Sequence, residues 1–519
     1  MLAARHYEVL AQSKELSLYN PAWFCENILQ ADVDAWQLHA IEAVADVHRK
    51  RAGLPTKYNH KGLNRISIHS CHGTGKTHFL GFLMHWWNWC FYGMVVCTAP
   101  KENQIKRRLW PRYRKILREA NDDYAELIKV DSLSVSIYDI NTRTGKLELN
   151  TDWGCVGETA SDPDNMSGYH DEPQLILVDE ASAKRLDPMF PVLEGTLTTD
   201  GSVLVQIGNP TRTEGEFYNA HNKAVVSDMF YQMHIIPTCM EGKYKSTLRK
   251  IVLTSDRVST VWVQNMITKY GDNSPVVKIR AFGEFAEMEA NQLIALQWLE
   301  DARDIEEETD GSVPRLRISV DVMDGGEDFT VITASRQYDS FKQYIKQKDY
   351  SFPSSKAPIL SALRAIEMFN NYGGDKTIDE FVIDAIGTGS GTAGYLALKG
   401  YKVVAHKGGM AATNKKKYRN MRTQIYCLFR DAHRDSKIRY SPNFTDSWED
   451  YIAQVCSIKL NPNSERVDDI ETKQSMLNRG IKSPDKSDSA AMAYSPIPVL
   501  AKEIEEVNEQ FGTTTSYDF

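Results

Sequence analysis

Several features that mark common protein classes are absent from this sequence. Its eight cysteines are scattered, and none belongs to a CxxC pair. Neither a disulfide framework nor a cysteine metal site is therefore predicted, and the thiols are expected to be reduced. The net charge of −8 excludes a wholly basic nucleic-acid coat, although a local basic track remains compatible with DNA binding. Internal repeats and low-complexity blocks are also lacking, and the sequence predicts a globular protein.

No segment is expected to enter or cross a membrane. Residues 1–6 have no apolar core of the kind that a signal peptide needs. The run 81–99 is apolar enough to suggest a membrane span, but it contains His85 and Asn88 and is interrupted at Gly93. This pattern favours a buried helix followed by a buried strand.

The length of 519 residues predicts two or three domains. Short apolar strands alternate with helical stretches, which predicts an α/β fold with parallel strands and helices on both faces of the sheet. An acidic, poorly apolar stretch at 300–314 predicts a linker between two such domains. The predicted strands are 65–69, 94–99, 175–178 and 203–207 before this linker, and 316–320, 330–334 and 381–383 after it.

The predicted domain limits follow from this linker. Residues 1–60 form a helical lead-in, 61–299 the first domain, 300–314 the linker and 315–500 the second domain. Residues 501–519 are polar and are expected to fray.

A glycine-rich loop between a predicted strand and a helix is typical of a phosphate-binding site. Backbone N–H groups of such a loop surround the β-phosphate, the lysine reaches the β- and γ-phosphate oxygens, and the following hydroxyl holds Mg²⁺. The alternative is a glycine-rich turn with an incidental lysine. The loop departs from the usual pattern at its first position, where serine replaces glycine. Its candidate ATP-binding residues are Ser70, Cys71, His72, Gly73, Thr74, Gly75, Lys76 and Thr77.

Two downstream strand ends complete the predicted ATPase site. Asp179 and Glu180 follow four apolar residues; Asp179 is expected to help Thr77 hold Mg²⁺, and Glu180 to orient or deprotonate the attacking water. Asn209 is a candidate sensor of the γ-phosphate. The alternatives are an exposed acidic turn and a simple Asn-Pro turn.

Further nucleotide contacts remain open at this stage. Trp36 and Gln37 would recognise adenine by stacking and by hydrogen bonding, or else Trp36 is a core residue of an amphipathic helix. An arginine that stabilises the transition state is also expected. Arg107, Arg108 and Arg212 are all candidates for it.

Aspartates recur at predicted strand ends in the second half of the chain. Asp321 and Asp384 each end a strand, while Asp485 and Asp488 open a late helix rich in small residues. Such carboxylates repel one another without a cation, so the cluster predicts a site for two Mg²⁺ or Mn²⁺ ions and metal-dependent phosphodiester cleavage. In the alternative interpretation, Asp328 and Asp485 serve turns and Asp488 caps a helix.

Basic residues concentrate in segments 101–118 and 415–422. Either segment would contact DNA phosphates without reading sequence, or else form an ordinary solvated helix face.

Together these motifs resemble the large terminase subunit of tailed bacteriophages, over nearly the whole chain. The resemblance rests on their order along the sequence. The motifs are Trp36-Gln37, the loop 70–77, 98–100 with Gln104, 167–170, 178–182, 208–211, 280–285, 320–322 with Asp328, Ile383-Asp384 with Gly387, and 483–485 with Asp488.

The resemblance implies an N-terminal ATPase domain of the ASCE type and a C-terminal nuclease domain with an RNase H-like fold. Asp321, Asp384 and Asp488 match the metal-binding triad of that family. It implies cleavage of concatemeric DNA and ATP-driven transport of double-stranded DNA into the prohead. The implied partners are the small terminase subunit, the portal protein and further copies of the chain in a ring. The implied location is the host cytoplasm, with transient binding to the prohead and none in the mature virion.

Two other functions remain possible from the residues alone. One is a helicase or recombination ATPase fused to a resolvase-like nuclease. The other is a DNA-binding nucleotide switch that does not translocate.

Overall fold

The computed structural model divides the chain into two compact units, Met1–Glu287 and Met288–Phe519. It describes residues 13–132, 134–140, 144, 146–159, 173–247, 250–289, 291–303, 309–323, 329–461 and 468–496. The predicted linker at 300–314 lies inside the second unit, because Leu296 and Leu299 just before it are buried there. The predicted tail 501–519 and the motif 167–170 lie outside the described residues.

The first unit contains a nine-stranded sheet. Its strands are β1 Arg65–Ser70, β2 Met94–Ala99, β3 Ile128–Val130, β4 Ser134–Ile140, β5 Leu147–Thr159, β6 Leu175–Asp179, β7 Val203–Gly208, β8 Phe230–Pro237 and β9 Lys250–Ser255. They lie in the order β3-β4-β5-β2-β6-β7-β1-β8-β9. All neighbours from β5 to β9 are parallel, and the β3-β4 and β4-β5 pairs are antiparallel. All four strands predicted in this half are present.

Helices cover both faces of this sheet, as predicted. Strand residues such as Leu177 pack with one group of helices, whereas the neighbouring Val178 packs with Phe190 and Phe217 on the opposite face. The α-helices are α1 Lys14–Tyr19, α2 Pro21–Asn27, α3 Ala35–Arg51, α4 Lys76–Cys90, α5 Glu102–Gln104, α6 Trp110–Glu119, α7 Asp122–Ala125, α8 Phe190–Thr196, α9 Glu216–Asn222, α10 Ala224–Ser227, α11 Thr260–Tyr270 and α12 Pro275–Val277. Single π-helical turns follow α5 and α12, at Ile105–Leu109 and Lys278–Phe282.

The apolar run 81–99 consists of the buried helix α4 and the buried strand β2, as predicted. Within the described residues, no helix is both long enough and apolar enough to span a bilayer.

The strand order brings the predicted phosphate-binding residues to one edge of the first sheet. Strand β7 lies between β1, which leads into the glycine-rich loop, and β6, which ends at Asp179. Since the three strands are parallel, their carboxyl ends meet at one edge, where parallel α/β sheets bind ligands. The predicted ASCE-type fold is confirmed by this order.

The second unit contains a six-stranded sheet. Its strands are β10 Arg315–Asp321, β11 Thr330–Gln337, β12 Lys342–Tyr350, β13 Glu380–Asp384, β14 Lys402–His406 and β15 Ile438–Tyr440. They lie in the order β14-β13-β10-β11-β12-β15. Strands β10, β11 and β12 form an antiparallel meander, and β13 and β14 add to it in parallel beside β10. This order confirms the predicted RNase H-like fold.

The helices of the second unit pack on both faces of its sheet. They are α13 Leu296–Asp301, α14 Ala357–Asn371, α15 Gly389–Leu398, α16 Met421–Arg434, α17 Trp448–Ser457, α18 Lys473–Asn478 and α19 Asp485–Ala491. Helices α14 and α15 cover one face through Ala362, Phe369 and Leu396, which meet Ile318 and Phe381 of the strands.

Helix α19 lies close to the opposite face because its inward residues are small. Ser487, Ser489 and Ala490 are fully buried. The Ser489 hydroxyl donates to the carbonyl oxygens of Ser319 (3.2 Å) and Val331 (3.1 Å) on two neighbouring strands. These bonds fix the helix, and with it the position of the Asp488 backbone.

Candidate functional site

The glycine-rich loop connects β1 to α4 and turns tightly around two glycines. Gly73 and Gly75 have φ angles of 80° and 85°, in the left-handed region that glycine adopts without strain. A Cβ atom at Gly75 would also lie 2.8 Å from the Gln37 amide nitrogen. The backbone conformation therefore requires glycine at position 75, and an added Cβ atom would also displace the end of the Gln37 side chain.

Lys76 and Asn209 meet across the loop. The Lys76 ammonium donates to the Asn209 side-chain oxygen (3.0 Å) and lies 3.4 Å from the Cys71 carbonyl oxygen. The Asn209 amide in turn donates to the Ser70 carbonyl oxygen at 2.6 Å. Asn209 thus links the end of β7 to both ends of the loop.

The acidic pair lies at the end of β6. Asp179 is buried, and burial together with the neighbouring Glu180 charge raises its pKa to about 7, against the opposing effect of Lys76. Glu180 has a φ angle of 52°, an unusual backbone conformation for a non-glycine residue and one often found at active sites. The Glu180 N–H donates to the Asp179 carboxylate at 2.9 Å. The two carboxylates therefore extend from one short, constrained turn.

Trp36 and Gln37 support the loop from inside the protein. Trp36 is buried, and its indole N–H donates to the Thr74 carbonyl oxygen at 3.2 Å. The Gln37 amide donates to the Gly75 carbonyl oxygen (3.0 Å), while its oxygen accepts from the Asp34 N–H (3.2 Å). Trp36 is thus a core residue and does not stack on adenine, because a buried ring has no open face for a ligand. A contact between Gln37 and nucleotide stays a prediction.

The three arginines predicted as candidates differ in their surroundings. Arg212 is buried and forms ion pairs with Asp187 (2.9 Å) and Glu214 (3.1 Å). Arg108 is largely exposed and lies 4.0 Å from the Glu180 carboxylate, and Arg107 is exposed.

A fourth arginine, Arg280, was missed by the sequence interpretation. Its guanidinium lies 3.2 Å from the His72 ring within the loop, and its carbonyl oxygen accepts from the His72 N–H at 2.8 Å. It belongs to the motif 280–285, but nothing in the spacing of that motif indicates contact with a loop about two hundred residues earlier.

The carboxylates of the second unit line one cavity of about 340 Å³. Asp321 and Asp384 end β10 and β13, which are adjacent and parallel, and Asp485 and Asp488 lie in the first turn of α19. The structure thus brings together all four aspartates predicted at this site. Asp328 lies outside the described residues.

The pKa of Asp321 is strongly perturbed. Burial raises its pKa well above the usual range, and the charges of Asp488, Asp485 and Asp384 add to this effect, while Lys473 opposes it. One Asp321 oxygen, Oδ2, is buried without a hydrogen-bond partner in the described part of the chain. An unsatisfied buried carboxylate oxygen is a suitable ligand for a hard cation.

Asp488 is held by cationic and hydroxyl groups. Burial opposes its ionisation, but Lys473 and Arg422 hold its pKa below the usual range. The Lys473 ammonium lies 2.8 Å from the carboxylate, Arg422 Nε lies 3.7 Å from it, and the Tyr426 hydroxyl donates to it at 2.6 Å. The sequence interpretation missed Lys473, which lies in a short helix with no distinguishing pattern.

The donor set fits divalent metal, but its present arrangement does not converge on one point. Among the described residues, no group of three or more His, Cys, Asp or Glu side chains is placed to hold an ion. The electrostatics explain this, because Asp488 is drawn towards Lys473. The carboxylate set is nevertheless the oxygen-rich type that Mg²⁺ and Mn²⁺ prefer.

His406 is another residue of this cavity that the sequence interpretation missed. It ends β14, opposite Asp384 on β13, and its Nδ1 lies 2.9 Å from the Ser495 hydroxyl. Burial lowers its pKa to about 4. The ring is therefore neutral at physiological pH.

The two predicted basic segments are partly exposed. Arg107, Arg112 and Arg118 face solvent around the first segment, and Lys416 and Arg419 do so in the second. Arg422, by contrast, lines the carboxylate cavity. Their contact with DNA stays a prediction.

Comparison with known proteins supports the resemblance seen in the motifs. No family model matches the chain. The probable large terminase subunit of Enterobacteria phage P7 is 24% identical over 245 residues, which make up 46% of this chain and 45% of that protein. The chain thus matches less than half the length of this curated relative. The predicted resemblance to large terminase subunits is confirmed by this match.

Solved structures similar to this chain include two terminase proteins. The large terminase from a thermophilic bacteriophage has a TM-score of 0.37 and 12% identity, covering 87% of this chain and 97% of that one. The nuclease domain of the large terminase subunit gp2 of bacterial virus Sf6 has a TM-score of 0.32 and 18% identity, covering 40% and 100%.

Proposed function

We propose that this protein is a viral DNA-packaging motor that also cuts DNA. ATP hydrolysis in the first unit drives double-stranded DNA into the prohead, and a metal-dependent endonuclease in the second unit cuts concatemeric DNA. The observation that carries this proposal is the presence of both sites on one chain. The first site contains the glycine-rich loop, the Lys76–Asn209 hydrogen bond and the acidic residue Asp179. The second site has four aspartates around one cavity.

The first site supplies the groups that phosphoryl transfer needs. The loop N–H groups and Lys76 bind the β- and γ-phosphates, and Thr77 and Asp179 would hold Mg²⁺. That ion supplies positive charge to the phosphates when bound. Lys76 also favours the ionised form of Asp179, because its positive charge opposes the rise in the Asp179 pKa that burial and Glu180 cause. Glu180 orients the water, and Asn209 couples loss of the γ-phosphate to movement of β7.

The second site supplies carboxylates for phosphodiester cleavage. Asp321, Asp384 and Asp488 would hold Mg²⁺ or Mn²⁺, with Asp485 beside them; bound ions lower the pKa of water and stabilise the leaving oxygen. Lys473 keeps Asp488 ionised inside a buried cavity. If Asp488 held a metal ion, Lys473 would be available to contact a DNA phosphate.

The partners of this motor follow from its proposed role. They are double-stranded DNA, the small terminase subunit, the portal protein and further copies of the chain in a ring. The protein acts in the host cytoplasm and binds the prohead transiently. Cleavage is weakly sequence-specific, because the chain presents basic segments but no evident base-reading module.

Plasmid cleavage with Mg²⁺ or Mn²⁺ tests the proposal directly. The intact chain should cut without ATP, Asp321→Ala should not cut, and Lys76→Ala should cut while losing ATPase activity. No cutting by the intact chain with either metal would contradict the nuclease assignment.

A strand-displacement assay separates the motor from the helicase alternative. A packaging motor translocates on duplex DNA without unwinding it, so displaced strands would favour the helicase. Binding of ATP and DNA without hydrolysis would favour the nucleotide switch.

A further inference from the structure

We infer that Arg280 is the arginine that stabilises the transition state of ATP hydrolysis, acting within its own chain. This inference rests on the proposed ATPase function. In that reaction a water oxygen attacks the γ-phosphorus, and the bond from the γ-phosphorus to the β,γ-bridging oxygen breaks. ADP leaves with the electron pair, and Glu180 accepts the water proton. Negative charge grows on the transferred and leaving oxygens, where an arginine is most effective.

The first support is the position of the Arg280 side chain. Its Nη1 atom lies 3.2 Å and 3.4 Å from the two ring nitrogens of His72. His72 lies inside the loop, four residues before Lys76. Arg280 is only 8% exposed, so its guanidinium is held at the loop and does not extend into solvent.

The second support is that the backbone around Arg280 is packed directly on the loop. The His72 N–H donates to the Arg280 carbonyl oxygen. Gly283 has a φ angle of 67°, and a Cβ atom there would lie 2.4 Å from the Cys71 nitrogen. Only glycine permits this approach, so the segment lies directly against the loop.

The third support is that two buried histidines contact carbonyl oxygens of this segment. His69 Nδ1 lies 2.6 Å from the Gly283 carbonyl oxygen, and His234 Nε2 lies 2.9 Å from that of Phe282. Arg280 itself belongs to the π-helical turn Lys278–Phe282. π-Helical turns are rare and often occur at functional sites.

The other arginines near this edge of the sheet have different surroundings. Arg212 is committed to two carboxylates, Asp187 and Glu214, and is buried between them. Arg108 is largely exposed and lies beside Glu180, the residue proposed to orient the attacking water. Arg280 alone among these three contacts a residue of the phosphate loop in the described structure.

The test compares Arg280→Ala and Arg280→Lys with the intact chain, and uses Arg49→Lys as a matched control, since Arg49 is a buried arginine that pairs with Glu42 and Asp46 and is not part of the site. Steady-state ATPase kinetics with duplex DNA give kcat and KM, and a fluorescent ATP analogue gives Kd. Arg280→Ala and Arg280→Lys should lose about 10³-fold or more in kcat, as when an arginine finger is removed, with little change in Kd. Guanidinium ion should partly restore kcat of Arg280→Ala, whereas Arg49→Lys should retain the kcat of the intact chain.

Each outcome has a distinct meaning. No hydrolysis by the intact chain would contradict the proposed function itself. An active intact chain with near-normal kcat in Arg280→Lys would overturn the inference and point to an arginine from a neighbouring subunit. If Arg280→Ala loses activity without guanidinium rescue while Arg280→Lys stays active, Arg280 is structural and the inference is also overturned.

Discussion

Replacing Lys473 by methionine should strengthen binding of divalent metal in the second unit. The substitution keeps most of the side-chain volume but removes the ammonium that lies 2.8 Å from Asp488. A hydrogen bond to a charged group contributes about 1.5–3 kcal/mol. Because 46% of the Lys473 side chain is exposed, solvent screening reduces this contribution to about 1.4 kcal/mol. A metal that no longer competes with the lysine should therefore bind about tenfold more tightly.

Calorimetric titration with Mn²⁺ measures this effect. Lys346→Met is a matched control, since it removes a lysine–aspartate pair (3.0 Å to Asp446) that is not part of the cavity lining. The control should leave the Mn²⁺ affinity unchanged. An unchanged or weaker affinity in Lys473→Met would refute the idea that the lysine and the metal compete for Asp488. In the same variant, affinity for DNA should fall if the released ammonium contacts phosphate.

Three further predictions concern single positions. Glu180→Gln should abolish ATP turnover while sparing ATP binding, which parallel kinetic and nucleotide-binding measurements would check; unchanged turnover would disprove the role given to Glu180. Gly75→Ala should abolish ATP binding, because it forces a Cβ atom onto Gln37 at a φ angle of 85°; normal binding would show that the loop adapts. Asp321→Asn should raise the melting temperature at pH values above the ordinary range of a carboxyl pKa. The folded-state pKa of Asp321 is raised, so its ionised form destabilises the fold above that pKa, and the penalty disappears as pH falls towards the unfolded value. Relief of about 1 kcal/mol corresponds to about 2–4 °C for a domain of this size, and a melting temperature equal to that of the intact chain at pH 8 would contradict it.

Much of the fold was accessible from the sequence because its strands are short apolar runs with clear ends. Strand β6 ends at Asp179 and β10 ends at Asp321, and parallel neighbours bring such ends together. Local patterns therefore predicted which residues gather at the two sheet edges. The domain boundary was harder to predict from the sequence than the strands. Helix α13, which precedes the acidic stretch, packs within the second unit.

The cationic parts of both sites were beyond sequence reasoning. Arg280 and Lys473 lie in short helical turns, and neither position repeats a pattern that marks a partner. Their contacts arise only from tertiary packing between distant segments. The role of Trp36 could not be predicted for a related reason. A pattern of apolar residues does not indicate whether an aromatic ring packs beneath a loop in the core or faces a ligand.

The small residues of α19 determine how quickly the carboxylate site can change. Ser489 bonds to two strands, and Ser487 and Ala490 leave no room for the helix to approach further. The backbone that carries Asp488 is thus rigid, while the lysine that holds the carboxylate is half-exposed. Exposed rotamers exchange in picoseconds to nanoseconds, so the Lys473 end of this ion pair can move without any change in the backbone that carries Asp488.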